Sequence, residues 1–392
     1  MSRQHTARRS LAVFTLGKAV TNTALRWAAP FLPTLEKAFG ASTAQLTTAL
    51  GVAEAGGLTT LFVGRKLDRG HERLIAVAGC GIIAIASLVA LIGTTFTFAI
   101  SAFLVVVGVA NLTTAGHAYL GHRVPYDRRA RWIGIFETSW ALSLLVGAPI
   151  VAVLITLVGW RGPYVAFVIA ATFAAVLIAT QVDPAPPPAR TGDRSTAPTA
   201  TRPDAAAWRT MLGSACVGMA GLSMFAISGA WLDDDYGVST AGLGAVAVGF
   251  GAIELMSSLV SAGWADRLGK LRTTVAAVAL LAVGLVIMSL AGTLVVAVIG
   301  LLAFLCGFEY AIVTSFSLVS EAMPAARGAT IAMSNAIGTS ARAVGVIASG
   351  LLYEAHGIVG SSALSGIAAI VAFALLATSR RRTPAERVVV LS

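Results

Sequence analysis

The chain has 392 residues, of which 57% are hydrophobic and 12% charged, with a mean hydropathy of +0.83. Soluble domains carry about 25% charged residues, so this composition cannot cover a water-facing surface and excludes a soluble globular protein. Twelve spans of about 20 residues use about 240 residues and leave room for loops and tails. A β-barrel is excluded because the apolar stretches are long runs, not segments of about 10 alternating residues.

In chain order, the predicted elements begin with a tail, 1–10, and six apolar helices at 11–35, 42–64, 74–93, 96–121, 131–157 and 162–181. The stretch 182–208, rich in Pro, Thr, Ala and Arg and without periodicity, reads as a linker. Six more helices are predicted at 209–231, 239–263, 272–291, 293–318, 327–353 and 358–379, with a tail at 380–392. The expectation is an all-α polytopic membrane protein with two six-helix bundles, 11–181 and 209–379.

The net charge of +10 follows from where the basic residues sit. Arg3, Arg8, Arg9, Arg65, Lys66, Arg69, Arg73, Arg123, Arg128, Arg129 and Arg131 share one side with the linker arginines. Arg267, Lys270, Arg272, Arg327 and Arg380–Arg382 join them, whereas Lys37 and Arg161 fall opposite. This asymmetry predicts cytoplasmic termini and linker and makes a nucleic-acid partner unnecessary. Arg8 and Arg9 precede an apolar stretch as in a signal peptide, but Lys18 interrupts it early, so an uncleaved first span is expected. The Ala, Gly, Val and Arg bias fits a GC-rich bacterial genome and hence an inner membrane.

Cys80, Cys216 and Cys306 lie in apolar runs without a CxxC pair, which argues against a disulfide framework or a metal site. HExxH, GxSxG and Walker patterns are also missing, so no enzyme, metal or cofactor is expected. Asp233-Asp234-Asp235 lacks a second Asp-rich partner and reads as a solvated helix end.

An internal repeat orders the chain. Asp68 and Asp266, Arg129 and Arg327, Gly147 and Gly345, and Gly159 and Gly357 are each 198 residues apart. Ser42-Thr43-Ala44-x-Leu46 returns as Ser239-Thr240-Ala241-x-Leu243. Such anchors indicate two parallel six-helix repeats, an arrangement found in secondary transporters.

The loop Gly64-Arg65-Lys66-Leu67-Asp68-Arg69-Gly70-His71-Glu72-Arg73 resembles the major facilitator superfamily signature G-x-L-A-D-R-x-G-R-R. Asp266-Arg267-Leu268-Gly269-Lys270-Leu271-Arg272 is similar to it in the second half. The first copy has His71 at the second Gly, and the second has Ala262 at the first. Pro125–Arg131 and Gly159-Trp160-Arg161 also look typical of that superfamily. The resemblance implies twelve helices in two pseudo-symmetric halves and alternating access. It implies that Gly64, Asp68, Arg69 and Arg73, with Asp266, Arg267, Gly269, Lys270 and Arg272, form gating loops. The motif Asp then latches its loop when the carrier opens outward. Gly147-Ala148-Pro149 partly matches the helix-five motif of proton-coupled exporters, although Asn111 stands where many exporters have Arg. The implied function is proton-coupled export of a small amphipathic or anionic organic compound by a monomer in the bilayer. Proton-coupled uptake of an organic anion and a transporter-like sensor are the alternatives.

Charges inside a span cost at least about 2.5–3.5 kcal/mol, so they mark function. Lys18, Asn22 and Arg26 form an i, i+4, i+8 stripe expected to face a central cavity. Matching depths predict Lys18–Glu137 and Arg26–Glu54 pairs, either as fixed struts or as working groups. Asn335 and Arg342 share a face of helix eleven, so Arg342 either faces the cavity or pairs with Glu254 or Glu309. An anion between Arg26 and Arg342 is the expected substrate contact, with Trp140 beside Glu137 on helix five. Glu54, Glu137, Glu254 and Glu309 are the proton-coupling candidates, Glu54 or Glu137 foremost. His117 near the cytoplasmic end of helix four could titrate, but a lone His near an interface is expected to be simply solvated.

Overall fold

The computed structural model describes residues 2–124, 126–183, 202–323 and 326–379. Described helices are α1 (Ser2–Arg26), α2 (Leu32–Phe39), α3 (Thr43–Ala53), α4 (Thr60–Leu67), α5 (Glu72–Ala90), α6 (Thr95–Arg123), α7 (Tyr126–Leu142), α8 (Ala148–Val158) and α9 (Arg161–Gln181). The second half supplies α10 (Ala205–Tyr236), α11 (Thr240–Leu268), α12 (Lys270–Ser289), α13 (Leu294–Ala322) and α14 (Arg327–Ala377). A 3-10 segment, Glu54–Thr59, joins α3 to α4, and a π turn, Ser143–Gly147, joins α7 to α8. No strand occurs among the described residues.

Twelve membrane spans follow from these pieces. Ten described segments are long and apolar enough to cross a bilayer. The last, Thr330–Ala377, is 48 residues long, about 70 Å of helix and more than two hydrocarbon cores. Gly357 breaks it with φ 60° and ψ −154°, so α14 is two spans joined at one glycine. The remaining span is α1, which misses the hydropathy of its neighbours because its polar side chains turn inward. Lys18, Thr21, Asn22 and Arg26 are all buried. Most of the linker, and the tail from 380, lie outside the described residues.

Helix ends follow local chemistry. Ser42 and Gln45 close a capping box at α3, and Thr94 and Thr97 do the same at α6. The first helix was expected to run to residue 35 but ends at Arg26. Pro30 and Pro33 explain the difference, since neither offers an amide hydrogen to continue the ladder. The chain turns and restarts as α2, with Pro33 in its first turn.

Two compact units can be described. One comprises Met1–Gly192, Leu222–Leu255 and Ala343–Ser361, and the other Asp193–Gly221, Met256–Arg342 and Ser362–Ser392. In the first unit, parts of α10, α11 and α14 pack against first-half helices around the end that carries α2. A side chain at Gly229 would overlap the Pro30 carbonyl, and one at Gly350 would overlap Thr47. At Gly251 a Cβ would stand 2.8 Å from the Ala141 carbonyl. The α2 end is therefore closed by backbone meeting backbone. Polar contacts complete it: the Ala44 N–H donates to Glu354 Oε1 (2.7 Å) and Tyr353 to Asp234 Oδ2 (2.8 Å). The Glu354 carboxylate sits on the N-terminus of α3, where the helix dipole favours a negative charge. Beside it, the Thr43 hydroxyl donates to Glu36. Burial raises the Glu36 pKa, Thr43 opposes that rise, and Asp234, Asp233 and Glu354 add to it.

The second unit holds its own polar contacts. Ser214 and Ser315 hydroxyls lie 2.9 Å apart, and Thr274 donates to Thr314 Oγ1 (2.7 Å). Gly284 and Gly307 bring α12 and α13 into backbone contact, as small residues do between membrane helices.

Candidate functional site

The polar stripe of α1 builds the site. Lys18, 2% exposed, sets its ammonium 2.5 Å from Glu137 Oε2 on α7. The other carboxylate oxygen, Oε1, lies 2.7 Å from Nε2 of His117 on α6. Glu137 and His117 are each 43% exposed, so water reaches the imidazole while the ammonium is dry. Phe136 is the floor of the arrangement. Lys18 Nζ stands 4.5 Å above its ring, and His117 meets it edge-on at 5.4 Å. That floor fits because Gly116 has no side chain where the Phe136 ring packs. The depth argument thus found the Lys18–Glu137 pair. His117 is solvated, as expected, and is also the third member.

Two turns along α1, Arg26 makes a second pair, but not with Glu54. Its guanidinium, 6% exposed, grips Glu254 of α11 with both nitrogens, Nη1 donating to Oε2 at 2.8 Å and Nη2 to Oε1. Nη1 also reaches the Trp140 carbonyl (2.9 Å) and Ser143 Oγ (3.2 Å). Trp140 covers the cation at 4.2 Å and Phe225 at 5.5 Å. A π turn follows Trp140 closely. From Ser143 to Gly147 the ladder shifts ahead of Pro149, which lacks an amide hydrogen. Similar depth was a correct but insufficient criterion. Glu54 begins the 3-10 segment on the second span and is half-buried there.

The α1 stripe packs against α7. Asn22, fully buried, donates to Ser139 Oγ at 3.4 Å. Arg26 is paired with Glu254. Arg342 belongs to the other unit, where Nη2 donates to Thr339 Oγ1 (3.1 Å) and its stem covers Gly218. Glu254 is Arg26's partner and thus already engaged in the first unit. Asn335 is exposed and Glu309 is buried on α13.

In the first motif loop, Arg73 donates to the Val182 carbonyl at the end of α9 (3.3 Å). Asp68 is exposed at the C-terminus of α4, as are Arg69 beyond it and Arg267 and Arg272 in the second loop. Gly64 has open space around it. The turn glycine has moved by one residue: Gly70 takes φ 82° in the first loop, while Gly269 takes φ 89° in the second. His71 therefore replaces no required glycine. Lys270 binds Glu321 at 2.5 Å. The Asp266 side chain lies outside the described residues.

One pair in this loop had no signal in the motif comparison. Glu72, 0% exposed, accepts from His122 at the end of α6, and its Oε2 has no hydrogen-bond partner among the described residues. The spacing of Glu72 and His122 in the chain could not pair them, since 50 residues separate them.

A twelve-span helical bundle with paired charges in its interior and duplicated loop motifs defines the class. The Major Facilitator Superfamily model matches residues 14–346 and 211–391, and the chain belongs to that family of membrane transporters, which are not enzymes. An uncharacterized MFS-type transporter of Bacillus subtilis, YwfA, is 30% identical over 138 residues, 34% of this chain and 32% of that relative. The match thus spans about a third of the relative's length. The D-xylose-proton symporter superposes with a TM-score of 0.79 at 16% identity, covering 96% of this chain and 99% of the other. An inward-facing, occupied bacterial homolog of the human lysosomal transporter Spinster gives 0.77 at 14%, covering 95% and 98%. At such identities these likenesses define the fold.

Proposed function

We propose that the protein is a secondary active transporter whose two six-helix halves, 11–181 and 209–379, alternate access to a central substrate. It exports a small amphipathic or anionic organic compound in exchange for protons, as a monomer in a bacterial inner membrane. The termini and linker face the cytoplasm, following the basic residues, and the α2 end faces outward. The observation that carries this reading is the Arg26–Glu254 clamp, which ties the first and fifth spans to the eighth at a closed α2 end. A contact of that kind must break for the outer side to open. Export is favoured by the helix-five motif around Gly147 and Pro149, where the π turn sits. Glu54, Glu137, Glu254 and Glu309 are the carboxylates available for proton coupling. Lys18, Asn22, Arg26, Trp140, Asn335 and Arg342 are the polar and aromatic groups available to the substrate path.

The test is accumulation by proteoliposomes under an imposed pH gradient, screened over amphipathic cations, organic anions and neutral compounds. Gradient-dependent accumulation of one class is the expected result, and no movement of any class would overturn the reading. In the same assay, Asp68→Asn is expected to cut the rate about tenfold or more with folding intact. Its carboxylate is exposed here, at the C-terminus of α4, and serves as a latch in the opposite form. A full rate in that variant would remove Asp68 from the gate.

A further inference from the structure

A groove of about 300 Å³ runs between α12 and the last turns of α14, inside the second unit. Ala276 and Ala279 on α12 and Ala377 on α14 leave the space, Val275 and Phe373 wall it, and Arg272 is its charged end. From Arg272 to Ala279 the helix rises about 10 Å, against about 15 Å for one leaflet of hydrocarbon. Ala276, Ala279, Phe373 and Ala377 are exposed. They continue apolar exposed stripes at helical spacing, through Val283 and Val286 on α12 and through Ile370 and Ile367 on α14. Stripes of that kind face lipid, so the groove opens on the outside of the bundle. Its charged end lies at the second motif loop, on the side that carries most of the basic residues.

The repeat shows why Arg272 is available there. In the first half the counterpart helices are α5 and α9, and Arg73, in the first turn of α5, donates to the Val182 carbonyl at the end of α9. In the second half that task has passed to α10, whose Arg209 donates to the Thr378 carbonyl at the end of α14 (3.1 Å). The acid Glu321 is held by Lys270 at 2.5 Å. Arg272 is left exposed, with no hydrogen bond or ion pair among the described residues.

We propose that this groove is a binding site for an anionic phospholipid, its phosphate on Arg272 and one acyl chain along Ala276, Ala279 and Phe373. A guanidinium meets phosphate oxygens through two parallel N–H···O bonds, and basic pockets between membrane helices select anionic headgroups. A water-soluble anion gains nothing from the apolar wall. A zwitterionic lipid fills the wall but brings a cation of its own towards Arg272. The bound lipid ties the second motif loop to the membrane. The inference needs only that the chain spans a bilayer, whatever the protein carries and in whichever direction.

The test uses the full-length protein, stripped of lipid in neutral detergent and titrated with phosphatidylglycerol or phosphatidylcholine of the same chains. Native mass spectrometry counts the bound lipids. Phosphatidylglycerol is expected to fill one site at least about fivefold more tightly than phosphatidylcholine. Arg272→Gln should bring the two lipids within about twofold of each other. Ala276→Phe fills the groove with Arg272 in place and should weaken phosphatidylglycerol about fivefold or more. Both positions are exposed, so neither variant removes a core contact, and a single gel-filtration peak verifies folding. Arg65→Gln, exposed in the first motif loop, should change nothing. An equal loss in Arg65→Gln would reveal a general basic belt and overturn the site. A preference that Arg272→Gln removes and Ala276→Phe leaves intact would show a phosphate contact without the groove, and would overturn it as well. Equal binding of the two lipids by the unaltered protein would do the same.

Discussion

Glu254→Gln is expected to destabilise the protein by about 3–5 kcal/mol, the cost of leaving a buried cation without its counter-charge. Arg26 has little other recourse. It is 6% exposed, and its remaining partners are a carbonyl, a hydroxyl and two aromatic faces. Those dipoles soften the loss but cannot supply a full charge. Arg26→Met should cost a similar amount, because Glu254 is equally buried. The double variant Arg26→Met/Glu254→Leu should recover most of the loss, since an apolar pair of similar volume avoids desolvating two charges. Thermal unfolding in detergent gives the cycle, and a coupling of about 2 kcal/mol or more is expected. Single effects that simply add would show that the two groups do not depend on one another.

The second large effect belongs to a residue with no side chain. Gly350→Val should hold the α2 end apart, because a Cβ at 350 collides with Thr47. Thr47 cannot swing away freely, since its hydroxyl is tied to the Thr43 carbonyl at 2.8 Å. Overpacking in a rigid interior typically costs about 1–3 kcal/mol, enough to shift a two-form equilibrium about fivefold or more. The distance between spin labels at Phe96→Cys and Ala355→Cys, both exposed positions of the first unit, should lengthen, and transport should fall. Adding Thr47→Gly removes the obstacle and should restore much of the short distance. No recovery in the double variant would place the fault elsewhere, in the helix itself.

The sequence made the architecture legible because lipid forces it. Long apolar runs, an offset of 198 residues between anchors and a one-sided distribution of Arg and Lys leave few alternatives to a twelve-span bundle. Lys18–Glu137 was also legible, since a stripe that lipid rejects and a carboxylate at equal depth constrain each other. Arg26 shows where the argument stops. Depth gives the height of a residue on its helix but not the direction it faces, and 228 residues separate Arg26 from Glu254. The departure of residues 54–59 from α-helical geometry further loosened any inference about Glu54. The pairing of His117 with Glu137 was not legible for a related reason, although its exposure was. Its place near a helix end suggested water alone, whereas Gly116 lets Phe136 and Glu137 come against it. Glycine seals such as Gly229 against Pro30 depend on how helices cross, which periodicity does not encode.

The one-to-one matching of Lys18 with Glu137 and Arg26 with Glu254 has an electrical consequence. Moving one elementary charge across the membrane is worth about 2.3 kcal/mol per 100 mV, but these neutral couples sum to nothing. While each couple stays joined, a movement that carries both members together does little work against the membrane potential. Parting Arg26 from Glu254 instead separates two opposite charges, so that step is the one open to voltage.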